Sequence, residues 1–150
     1  MMQHKVSGAA AALFAVTLCL SGALRPTGLS AAETEDAVTI SVASASAKVG
    51  EKAVIVATIT PRDGYKIADA YRNRLMSLSS ADSGVRFDSE VVRATLKDGT
   101  LVFKLMTTPL SAGDHAINGV FRFAYVSSED GAGRLDIKSA PLIATVSGTE

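Results

Sequence analysis

Ala53–Thr60 reads AVIVATIT, a run in which branched apolar side chains alternate with small or hydroxylated ones. A period of two puts Val54, Val56 and Thr58 on one face of an extended chain, the pattern of a β-strand and not of a helix. The β-branched side chains are stiff at χ1 and suit a pleated surface. Pro61 follows and, having no N–H to give to a ladder, ends the strand.

The same alternation extends outward in both directions. Upstream, Val38, Ile40 and Val42 alternate with Thr39, Ser41 and Ala43, and Ala45 to Gly50 is a small-residue connection closing in Lys48-Val49-Gly50-Glu51. Downstream, Arg62-Asp63-Gly64 predicts a turn. Lys66 to Asn73 is a short helical turn, with Ile67, Ala70 and Tyr71 at helical spacing, or an extended loop. Leu75–Ser79 predicts a strand and Ser79–Gly84 a polar loop. Val85–Phe87 and Glu90–Leu96 continue as the next strand, with Val92, Ala94 and Leu96 on one face. Lys97-Asp98-Gly99-Thr100 predicts a type I′ hairpin, whose twist matches its strands, leading into Leu101–Met106. Thr107–Asp114 reads as a loop, His115–Val126 as a strand, and Ser127–Gly133 as a polar turn. Leu135–Ile137 and Leu142–Val146 close the chain as two strands separated by Pro141.

Seven to eight short strands punctuated by turns predict an all-β fold, an immunoglobulin-like antiparallel β-sandwich, with a small barrel as the alternative closure. No alternation of strands with helices is present, which argues against a parallel sheet.

The first 32 of the 150 residues read as an export signal and residues 33–150 as a single domain. His4 and Lys5 precede an apolar run from Ala9 to Leu20, too short to span a bilayer, which takes about 20 residues. Ser30-Ala31-Ala32 supplies small residues for cleavage after Ala32. A lipoprotein site at Cys19 is disfavoured by the bulky Leu18, and an uncleaved anchor by Gly22, Arg25 and Pro26. The expected location is therefore periplasmic or secreted, with no membrane span in the mature form.

Without residues 1–32 the chain keeps fifteen acids and thirteen bases, a net charge of −2. That balance argues against nucleic acid, which selects basic stripes. Cys19, the only cysteine, leaves with the signal, so the mature domain has neither disulfide nor thiol chemistry.

Catalytic and metal chemistry find little support. His115 is the one histidine after the signal; no Gly-x-Ser-x-Gly elbow accompanies it, and it reads as a hydrated turn residue opening a strand. Met76 and Met106 read as core gap-fillers. Asp63, Asp69, Asp82 and Asp88 do not form a calcium loop. The expectation is a non-catalytic protein without metal or cofactor.

The chemically mixed stretch is Ile59–Leu75, ITPRDGYKIADAYRNRL. Arg62, Asp63, Tyr65, Lys66, Tyr71, Arg72 and Arg74 are its candidate binding residues, since tyrosine and arginine are enriched at binding hot spots and loops carry function. The Ser127–Gly133 turn is a candidate neighbour. The competing assignment is a solvated rim neutralised by Asp63 and Asp69.

Thr58–Lys66, a strand leading into an Asp-Gly-Tyr turn, resembles the DsbD amino-terminal domain family. So does Ala112-Gly113-Asp114-His115 leading through Gly119–Tyr125 into a short loop. The resemblance covers residues 37–147 and implies a periplasmic immunoglobulin-like sandwich that passes electrons through a cysteine pair in that loop. This chain has SSEDGAGR at 127–134 instead, so the implied redox site is missing. The sequence thus predicts an exported binding module with a protein partner in the cell envelope. The alternative is a metal- or redox-linked periplasmic accessory protein working with a transporter or cytochrome system.

Overall fold

The computed structural model describes residues 31–34, 37–128 and 133–150. The expected signal at 1–32 lies outside the described residues except for Ala31 and Ala32, which open β1 (Ala31–Thr34) and pair with Val42 and Ser41. Among the described residues no helix is long and apolar enough to cross a membrane.

The alternating stretches become strands. They are β2 (Val38–Ala43), β3 (Ala45–Lys48), β4 (Ala53–Pro61), β5 (Tyr65–Ile67), β6 (Arg74–Ser80) and β7 (Val85–Phe87). The second half adds β8 (Val92–Arg93), β9 (Thr95–Lys97), β10 (Thr100–Pro109), β11 (Gly113–Ser127) and β12 (Leu135–Thr149). One sheet runs β1-β2-β4-β10-β7, with β9 also on β10; the other runs β3-β12-β11-β6-β8, with β5 also on β11. The protein is an all-β, immunoglobulin-like sandwich. The segments outnumber the seven to eight expected because several are two- to four-residue pieces of interrupted strands.

In β4 the buried set is Ala53, Ile55, Ala57 and Ile59, which turns Val54, Val56 and Thr58 to the outer face. Val38, Ile40 and Val42 of β2 point inward beside them. The two sheets meet where Phe103 of β10 faces Phe121 of β11, with ring centroids 5.0 Å apart. Both rings are fully buried, and each such side chain contributes about 1.5–3 kcal/mol of burial free energy. The hairpin at Asp98-Gly99 is as expected: φ is 51° and 78° at the two residues, the double positive that a type I′ turn requires.

Four expectations are corrected, and one pair of alternatives is decided. Ala45–Lys48 is a strand and not a connection; the chain leaves one sheet at Ser44 and joins the other alongside β12, in the single parallel pair among the described strands. Of the two forms open to Lys66–Asn73, the extended one holds, as β5 followed by a loop. Glu90–Leu96 is not one strand, because β8 pairs with β6 in one sheet and β9 with β10 in the other. The β10 strand continues through Pro109, with Thr107 and Thr108 buried against β7, so only Leu110–Ala112 forms the connection. Pro141 does not divide the last strand: it lies opposite Val120 where β12 is paired on one side only, and an edge tolerates a residue without an N–H.

Candidate functional site

The stretch after β4 is shaped by a turn and a buried asparagine. The Tyr65 amide donates to the Arg62 carbonyl at 3.0 Å, and Gly64 takes φ 88°, a conformation that favours glycine. The chain then pairs with β11 as β5, leaves it, and returns as β6. Asn73 spans the gap. Its Nδ2 donates to the carbonyls of Ala68 (3.0 Å) and Tyr71 (3.2 Å), while its Oδ1 accepts from the Ala124 amide (2.9 Å). The Ala68–Asn73 loop is therefore clamped to the sheet.

That clamp divides the candidate binding residues between two recesses. Tyr71, Arg72 and Arg74 line a recess of about 530 Å³ together with Asn73, Arg93, Val91 and Leu96. Lys66 lines a second of about 540 Å³ with Ile67, Ala68, Ala70, Val126, Ser127, Ser128 and Gly133. Asp69 borders both. Arg62 and Asp63 are exposed in the turn and line neither. Tyr65 is half-buried and packs edge-on against Tyr125, ring centroids 5.5 Å apart, which makes it part of the core margin. The expected neighbour at Ser127–Gly133 does approach: the Ser128 amide donates to the Gly64 carbonyl at 2.8 Å. Residues 129–132 of that turn lie outside the described residues.

Two arginines outside the candidate set adjoin this surface: Arg93 lines the first recess, and Arg122 reaches it through Tyr71. Cα registers place Arg122 of β11 opposite Arg74 of β6, and Arg74 opposite Arg93 of β8. Directly opposite residues share a face, so the three form a row across adjacent strands. Their sequence neighbours Phe121, Leu75 and Val92 pack toward the core, which turns the row outward. Arg122 Nε donates to Tyr71 Oη at 3.2 Å, and Arg74 Nη1 to the Arg72 carbonyl at 3.2 Å. Among the described residues none of these arginines has a carboxylate partner; the ion pairs lie elsewhere, as in Lys52–Asp88. The available signal was an arginine at each outward position, Arg122 between Phe121 and Phe123 and Arg93 between Val92 and Ala94.

His115 is corrected from hydrated to buried, at 4% exposed. Its Nδ1–H donates to Asp82 Oδ2 at 2.6 Å and its Nε2–H to the Ser111 carbonyl at 2.9 Å. The Ser111 carbonyl, and then Asp82, raise the ring above the usual histidine value. Asp82 is lowered to about 2 by the His115 bond, the Gly84 amide and the Ser80 hydroxyl. The residue types are those of a nucleophilic set, but Ser111 Oγ stands 3.4 Å from a nitrogen already given to the carbonyl. The cluster joins the Ser80–Val85 segment to the β10–β11 connection. Among the described residues no three His, Cys, Asp or Glu side chains converge on a metal position. Met76 and Met106, expected in the core, are half-buried on the outward faces of different sheets, opposite Val120 and Val54.

No family model matches the chain, and no curated protein matches it. Solved structures do, among them AggA, the major subunit of aggregative adherence fimbriae type I from Escherichia coli. That likeness has a TM-score of 0.39 and 18% identity, covering 77% of this chain and 98% of the other.

Proposed function

We propose that the protein is an exported, non-catalytic binding module of the cell envelope, engaging a protein partner through the surface around Tyr71, Arg72 and Arg74. The observation that carries this reading is the convergence of those residues with Arg93 at one recess, with Arg122 joined to them by register and by its bond to Tyr71. Tyrosine and arginine on a rigid scaffold are the residue types that anchor protein interfaces. Support for a non-catalytic role comes from His115, whose two ring nitrogens are both committed to structural acceptors. Kinship with the DsbD amino-terminal domain family belongs to the same proposal. It is supported by the turn at Gly64 and its hydrogen bond to the Ser127–Arg134 loop. Periplasmic placement rests on the reading of residues 1–32.

The test is affinity capture from envelope extract with the parent chain and a Tyr71→Ala, Arg72→Ala, Arg74→Ala variant. Tyr65 is left intact because it packs on Tyr125. Loss of a partner captured by the parent, with thermal stability retained, supports the reading. The same partners retained by the variant would end it.

A further inference from the structure

We infer that the Arg122–Arg74–Arg93 row, with its adjoining recess, takes an acidic protein segment whose carboxylates bind the guanidinium groups and whose aliphatic side chains meet Val91 and Leu96. This rests on the binding-module reading above and names the chemistry of its ligand.

Like charges directly opposite across a sheet are destabilising, and here the arrangement occurs twice in succession, Arg122 to Arg74 and Arg74 to Arg93. With strands about 4.8 Å apart, the three side chains leave the sheet within about 10 Å of one another. The chain from residue 33 onward is net acidic, so a basic row is not a sample of the average surface. Asp69 borders the same recess and forms no ion pair with the row. Two of the guanidinium groups are oriented by neutral oxygens, Tyr71 Oη and the Arg72 carbonyl, which hold them without neutralising them. Each keeps further N–H donors, in the planar fork that accepts a carboxylate bidentately.

The apolar neighbours select among anions. Val91 and Leu96 are 48% and 43% exposed beside the arginines. A free phosphate or a sulfated glycan offers nothing to those side chains. A peptide carrying both glutamate or aspartate and leucine or valine offers both kinds of contact, and burial of the aliphatic pair adds to the charge attraction.

The test is fluorescence anisotropy with a labelled peptide of alternating glutamate and leucine, its lysine–leucine counterpart, and inorganic phosphate and heparin as competitors. The glutamate peptide should bind, and more weakly as salt rises. Arg74→Gln should weaken it about tenfold, the Arg74→Gln/Arg93→Gln pair further, and Arg74→Lys less than Arg74→Gln. A merely structural arginine would lower the thermal midpoint when replaced; relief of repulsion instead keeps the Arg74→Gln midpoint equal to or above that of the parent. The proposal is overturned if the lysine peptide binds equally, if the double variant binds as well as the parent, or if phosphate or heparin displaces the peptide at stoichiometric levels. Envelope capture with the double variant separates the two readings. A partner lost there while no acidic peptide binds overturns the ligand class alone; a partner retained overturns the binding surface too.

Discussion

The Ala124 amide donates to Asn73 Oδ1 at 2.9 Å, so one side chain fills the place on β11 between the strand that ends at Ile67 and the strand that begins at Arg74. The Ala124 carbonyl is met by the Ala68 amide at 2.9 Å. Both backbone groups of a fully buried residue are thereby paired, which is the condition for burying them at all.

Replacing Asn73 tests this directly. Asn73→Ala leaves the Ala124 N–H and the Ala68 carbonyl without side-chain partners and should destabilise by about 1–3 kcal/mol. Asn73→Asp keeps an acceptor but loses both donated bonds and brings a charge up to two carbonyls, so it should be no better. Urea unfolding measures the loss, and a substitution that left the midpoint unmoved would show that the loop holds itself.

The ion pair between His115 and Asp82 should shape the pH dependence of stability. The His115 value is raised above 6.5 in the fold, so its contribution is complete below about 6.5 and is lost as pH climbs through the folded value. Asp82 falls from 3.8 to about 2, so its contribution is present above 3.8 and is lost as pH drops toward 2. Both are in force between roughly pH 4 and 6.5. Thermal midpoints followed beyond both ends of this window should show the alkaline decline flattened in His115→Gln and the acid decline flattened in Asp82→Asn. Curves parallel to the parent in both variants would remove the pair from the account.

Gly84 adds a steric test of the same cluster. A Cβ there would overlap the His115 ring at Nδ1 and Cε1 and lie 2.9 Å from Asp82 Oδ1. Gly84→Ala should therefore destabilise by about 1–3 kcal/mol, the usual range for overpacking. The added cost should shrink when His115 is already alanine, because the ring, the nearer of the two obstacles, is then gone. Unfolding of the two single variants and the double measures this coupling, and strict additivity would refute it.

What the sequence discloses here is what repeats locally. Ile55 and Ile59 mark β4 by alternation, and Asp98-Gly99 marks the hairpin by the dihedrals those residues accept. Thr107–Pro109 misleads because polar residues and a proline look like a loop, while threonine serves well in a strand and Pro109 stands at its end. The Asn73–Ala124 bond joins residues 51 apart, and His115–Asp82 joins residues 33 apart. Nothing in the local pattern encodes either. Tyr71, Arg72 and Arg74 stand out as a mixed segment, but Arg93 and Arg122 enter the same surface only through the registers of β8, β6 and β11. A register is a property of pairing, and a single strand does not carry it.

A last prediction concerns the bulge in β6. Pairing with β11 shifts between Asn118 and Val120, so Ser77 and Leu78 together oppose Gly119. Ser77 adopts φ 55°, the left-handed conformation that costs an L-residue roughly 1–2 kcal/mol and glycine little. Its side chain is exposed, so its removal sacrifices no packing. Ser77→Gly should then raise stability by up to about 1 kcal/mol, the relief of strain less the greater chain entropy that glycine brings to the unfolded state. Ser77→Val should do the reverse, since a β-branched side chain fits that conformation worst. The two are compared with the parent by urea midpoint at constant m-value. Because Ser77 is the one extra residue between the Ser79–Asn118 and Met76–Val120 pairs, deleting it would leave Leu78 opposite Gly119 and the Arg74–Arg122 register in place. A Ser77 deletion and Ser77→Gly should accordingly both leave acidic-peptide binding intact; loss of binding in either would show that the bulge itself positions the arginine row.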